Sequence, residues 1–338
     1  MQKASESEAP HQILLPPGKY KADIFVKKNI QIVGEVPEPP APTEAATAED
    51  GTELEPAPVL PADIVIEATG IHALTVVEGE AQVTNVTFQL TGGGNWHAAH
   101  VCGGSAIFKD CRFLSKRSSC VSVCDEGVAT FENCHFSKSV TGVGLRVLGH
   151  GKATLTRCVL SENALAGFEV LESGSLTATG STISMNRQCG GLLDNGTLTL
   201  NDCEVFHNFL SGLELTTGTC TVTNCTLRNN AQCGAILGDG VTGTFEGNQI
   251  EGNRTHGVQV SKSTVLFKGS FINYNLDNGV VAYRDTGVTF KDTEIQGNLG
   301  LAYIGTPRSE EKLMTQLSAD GNKVLYIDYP ESDDDDYI

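Results

Sequence analysis

The chain has 338 residues, 40% of them hydrophobic and 6% aromatic, with a formal net charge of −18. That charge excludes nucleic acid as a partner, because phosphate binding needs a basic footprint, and no apolar run is long enough to span a bilayer. Eleven cysteines, an odd number, follow an N-terminus (Met1 to Pro10) without an apolar signal core, so reduced thiols and a cytoplasmic location are expected.

Residues 1–11 form a polar lead. Ile13-Leu14-Leu15-Pro16-Pro17-Gly18-Lys19-Tyr20 then runs into Ile24-Phe25-Val26 and Ile30-Gln31-Ile32-Val33-Gly34, which read as short strands around a Pro-Gly turn. Residues 37–61 interrupt them with Pro, Ala, Glu and Thr, a composition that cannot bury a core and predicts a disordered, acidic insert. Between Glu35 and Asp63 there are eight acids and no base, and Glu331 with Asp333 to Asp336 adds five more; without those thirteen the remainder carries only −5. The pattern resumes at Ile64-Val65-Ile66, so the insert reads as a loop extruded from one coil. Next, Thr91-Gly92-Gly93-Gly94-Asn95-Trp96-His97 forms a glycine-rich loop carrying the single tryptophan.

From Ala153 to Gly300 the chain repeats itself. Asparagine recurs at 163, 186, 208, 230, 253, 275 and 298, in steps of 22 or 23 residues, and all but the last are followed four residues later by glycine. Such a period defines a solenoid. A second register reads Val86, Cys111, Cys134, Cys158, Ser181, Cys203, Cys225, Asn248, Ser270 and Thr293, small residues suited to an inward-facing bend. Within each repeat, apolar and polar residues alternate with the period of a strand, as in Leu213-Glu214-Leu215 and Thr219-Cys220-Thr221-Val222. A leucine-rich horseshoe would spend half of each repeat on a helix or turn and fix its leucines, whereas these repeats are rich in Thr, Val, Gly and Ser. The expected fold is all-β: a right-handed parallel β-helix over residues 12–305, with 22 to 24 residues per coil. The recurring asparagines are expected to stack as a structural amide ladder. Residues 306–330, with Thr306 as N-cap and Pro307 opening a helix through Leu317 before a strand at 323–327, predict a helix-strand cap. Residues 331–338 form an acidic tail.

The Leu-Pro-Pro-Gly-Lys-Tyr opening, followed by two strands and a glycine, resembles the first coil of eukaryotic β-helix proteins of the pectate-lyase-like superfamily. These include the recognition β-helix of an F-box protein and that of Shc-binding, spindle-associated proteins. The resemblance implies a non-enzymatic scaffold that docks protein partners in signalling, cytoskeletal, ciliary or ubiquitin-ligase assemblies. Trp96, Glu169, Glu214, Gln259 and Arg284 are the candidate docking residues. Many superfamily members are polysaccharide lyases or hydrolases, so a carbohydrate-active enzyme or sugar-binding module is the alternative. Against it, Gly149-His150-Gly151 is present without the Arg-Ile-Lys or Asn-Thr-Asp that accompany it in hydrolases, and reads as a bend; a cleft holding two or more carboxylates within about 10 Å, with His150 beside them, would revive it. Cys120 and Cys124, with Cys102, His97 and His100 one coil earlier, match no zinc-pair spacing. Neither metal nor cofactor is expected.

Overall fold

The computed structural model describes residues 11–35, 63–283 and 286–305, and the strands Leu317–Ser318 and Leu325–Tyr326. Strand pairing is parallel throughout, and each coil contributes one strand to each of three faces. About 12 turns of roughly 23 residues, rising about 4.8 Å each, make a rod roughly 55 Å long. The first face runs from Ile24–Val26 through Ala99–Val101 and Phe168–Leu171 to Tyr303–Gly305 and Leu325–Tyr326. The second carries Glu80–Thr84 and Ser105–Lys109, and the third Thr87–Leu90 and Arg112–Ser115. At Gly191–Asn201 and Leu213–Thr223 one strand runs unbroken across the first two faces, joining them into a single sheet.

Alternate residues of each strand point to the axis, as a period of two requires. Leu145 and Val147, Phe168 and Val170, Leu213 and Leu215, and Val258 and Val260 are buried as expected. Aromatics stack up the early core: Phe113 lies 5.7 Å from Phe88 and 5.1 Å from Phe136, and Phe108 lies 5.0 Å from Phe131. Each such ring, fully buried, contributes about 2–3 kcal/mol of transfer free energy. The parallel register that places one ring over the next adds an aromatic contact of about 1 kcal/mol.

Both predicted ladders form, and each follows a left-handed residue. The asparagine ladder sits directly after Glu162, Met185, His207, Asn229 and Tyr274, all at φ between 50° and 57°. Its amides link in six steps from Asn163 to Asn298, with Nδ2 donating to the next Oδ1 at 2.9–3.1 Å. Each Oδ1 so used also accepts the backbone N–H of the preceding asparagine. Each Nδ2 also reaches a carbonyl one coil back, as Asn208 does to Ile183. Buried backbone groups at a bend that leaves the sheet are thereby paired. The small-residue ladder works the same way: Cys158 N–H donates to Ser181 Oγ at 3.1 Å and Cys225 N–H to Asn248 Oδ1 at 2.8 Å. The residue before it is mostly Asn, Asp or Gly, as at Asn133, Gly180, Asp202 and Asn224, the types that tolerate positive φ.

Glycine opens the strand after the asparagine bend for a steric reason. A Cβ on Gly212 would stand 2.5 Å from the carbonyl oxygen of Gly234 and 2.9 Å from Asn230 Nδ2.

The C-terminal region departs from expectation at one point. Leu317, placed at the end of a helix by the sequence, lies in a strand paired with Thr293, and Leu325 pairs with Ile304. Another coil edge was available for pairing, and sheet extension prevails there over local helix propensity. The insert at 37–61, the polar lead at 1–10, the helix at 307–316 and the acidic tail lie outside the described residues.

Candidate functional face

The middle residue of each strand on the first face points away from the core. Pairing aligns these residues in one row: His100, Ser122, Arg146, Glu169, Leu192, Glu214, Ile236 and Gln259. Three of the predicted docking residues, Glu169, Glu214 and Gln259, therefore share a row. They are half-buried. Trp96 borders its N-terminal end, and Arg284 lies outside the described residues.

Glu169 and Glu214 are separated by Leu192 alone, two rungs that put their backbones about 10 Å apart. Their surroundings differ. Glu169 accepts a hydrogen bond from Arg146 Nε in an ion pair. Glu214 has no cation partner among the described ion pairs, and burial raises its pKa, opposed by a hydrogen bond from the Ser211 backbone. One carboxyl is thus ion-paired, and the other is unpaired with its pKa raised.

The N-terminal end of the row is aromatic. His72 and His100 stack at 4.4 Å, His72 and His97 at 5.3 Å, and Trp96 meets His72 edge-on at 5.0 Å with 40% of its surface exposed. The His97 backbone N–H donates to His72 Nδ1 at 2.8 Å. Burial lowers the pKa of His72 to about 4 and of His97 to about 3, and lowers that of His100. The stack is therefore neutral at pH 7. Among the described residues His100 Nδ1 has no hydrogen-bond partner.

His97, His100 and three cysteines were the zinc-like set. His100 Nε2 and Cys124 Sγ are 3.9 Å apart, but Cys120 is turned inward toward the Ser137 carbonyl, and no three potential ligands converge among the described residues. The thiols are not activated either: burial pushes Cys124 up to about 12, with Asp125 adding to it, and raises Cys102. His150 is exposed in a turn at the edge of the face, as the bend reading of Gly149-His150-Gly151 expects.

Sequence reasoning missed His72. His72 precedes His97 by 25 residues, the same step as Val86 to Cys111, so the spacing held the signal. Asp125, Glu172 and Asp239 occupy the turns leaving the first face, and Asp194 lies exposed in the strand that crosses from the first face to the second. The turns differ in length, and that breaks the period.

Three faces of parallel rungs with polar ladders at the bends define a parallel β-helix. The chain belongs to the right-handed β-helix family, whose model matches residues 97–219 and 216–312. No curated protein matches it by sequence. Among solved structures it resembles the catalytic unit of a thermostable GH87 α-1,3-glucanase from Streptomyces thermodiastaticus strain HF3-3, at 11% identity and a TM-score of 0.58, covering 94% of this chain and 62% of that one. It also resembles a double mutant of the periplasmic alginate epimerase AlgG, at 13% identity and 0.54, covering 94% and 78%. ORF18 of Geobacillus virus E2 is similar at 10% identity and 0.50, covering 86% and 53%. The chain spans less than two thirds of the glucanase and viral chains.

At these identities the likeness is one of fold, and it corrects the expectation of a non-enzymatic scaffold for protein partners. That expectation took a regular β-helix without the superfamily tripeptides to have an inert flank. The neighbours include an epimerase and a glucanase, which favours the carbohydrate alternative. On this chain, Glu169 and Glu214 stand two rungs apart in one row, while His150 lies in a turn at the edge of the face.

Proposed function

We propose that the chain acts on a polysaccharide laid along its first face, with Glu214 as general acid and Glu169 as general base in cleavage of a glycosidic bond. The observation that carries this reading is the pair of carboxyls in one row, one unpaired and pushed toward the acid, the other ion-paired with Arg146. In this scheme Glu214 protonates the departing glycosidic oxygen while Glu169 takes a proton from the attacking water. The backbone separation suits carboxyls spaced for a water between base and sugar, the inverting arrangement of about 6.5–9.5 Å. Trp96 offers an apolar platform to a sugar ring and Gln259 an amide to its hydroxyls. Kinship with the F-box and Shc-binding β-helices enters as lineage only and assigns no partner. The eleven free cysteines support a reducing, cytoplasmic compartment.

The test is release of reducing ends from α-1,3-glucan and other glycans by the full chain. Glu214→Gln and Glu169→Gln are each expected to lower turnover by at least about 100-fold while binding and the circular dichroism spectrum persist. Wild-type rates in both variants would remove the mechanism.

A further inference from the structure

The glucanase and the epimerase act on polymers of different charge, one neutral and one a polyanion, and the charges on this face choose between them. Glu169 and Glu214 stand in the row, Asp125, Glu172 and Asp239 stand on the turns leaving it, and Asp194 lies exposed in the strand that crosses from the first face to the second. Arg146 is engaged by Glu169, and the turns leaving the first face carry Lys27, Lys28 and Lys262 as their bases among the described residues, fewer than their acids, which also include Glu78 and Glu126. The opposite edge carries His72, His97, Cys189 and Cys233, none of which supplies a positive charge at pH 7. Bases do occur nearby, but around the corner: Lys138 and Arg187 line a separate cavity of about 380 Å³ with Met185 and Phe209.

Resting on the reading above, we propose that the first face selects an uncharged glycan and rejects polyuronates. A carboxylate on every sugar would be brought against an exposed edge that is already anionic, a repulsion that salt screens. A neutral sugar meets no such penalty and keeps the Trp96 platform and the hydrogen-bonding rim.

The experiment is a titration of the full chain at pH 7, at low and high salt, with α-1,3-linked glucan oligosaccharides and alginate oligosaccharides of matched length. The neutral ligand is expected to bind at least about tenfold tighter at low salt, with the gap narrowing as salt rises. An Asp194→Asn/Asp239→Asn variant should narrow the gap by improving alginate alone, and Trp96→Ala should weaken the neutral ligand. Equal or tighter alginate binding would overturn the charge selection while leaving a polysaccharide role intact. Binding of neither ligand would overturn both. A gap untouched by the double variant would overturn the assignment to these acids.

Discussion

Asn208 donates its side-chain N–H to Oδ1 of Asn230 at 3.0 Å, while its own Oδ1 accepts the backbone and side-chain N–H groups of Asn186 at 3.1 and 3.0 Å. Asn208→Ala would leave buried donors on Asn186 and remove the donor to the Ile183 carbonyl. A loss of about 2–4 kcal/mol is expected, read by urea denaturation. Asn298→Ala should cost less, because Asn298 is the last rung and 8% exposed, so water can replace the missing amide. Equal losses at both positions would argue against a ladder that depends on burial.

Gly212→Ala should destabilise by about 1–3 kcal/mol, since the new methyl meets the Gly234 carbonyl and backbone must shift. Gly93→Ala is the control. Nothing lies within 4 Å of a Cβ there, and its melting temperature should match wild type.

The histidine stack makes stability fall in acid. Folded His72 and His97 titrate near 4 and 3, against about 6.5 in the unfolded chain, so the unfolded state binds protons first as pH drops. Stability is complete above pH 6.5 and declines from there towards 3, by about 2–4 kcal/mol at pH 5. A His72→Phe/His97→Asn variant should flatten that decline in pH-dependent thermal melts. An unchanged slope would locate the acid sensitivity elsewhere.

Thiol accessibility checks the inward ladder. Cys102 and Cys124 are partly exposed and the other nine cysteines are buried. Ellman's reagent should modify two thiols in the native protein and all eleven after denaturation, with the two native rates rising with pH because both pKa values are raised. Fast native labelling of Cys134, Cys158 or Cys203 would contradict the packing.

Much of the fold was legible because a solenoid writes its geometry into spacing: Asn163 to Asn298 and Cys111 to Thr293 are each one bend repeated. The left-handed residue before each bend was harder to read, since Glu162, Met185 and Tyr274 take that conformation with no compositional cue. The strand at Leu317 depends on a partner edge at Thr293, a tertiary fact that local propensity does not contain. For the candidate site, Glu169 and Glu214 could be named as outward residues. That only Leu192 parts them, and that Arg146 engages just one, follows from which rung stacks on which.

A rod whose every storey hands the same bonds to the next can be edited by whole storeys. Excising residues 186–207 would present Asn163 to Asn208 as it now meets Asn186, with both corners and the first-face row still in phase. The same cut would bring Glu169 and Glu214 onto adjacent storeys, about 5 Å apart, too close for the water that the proposed mechanism places between them. Height and the spacing of this carboxyl pair are thus set by the same integer, a matter of counting floors.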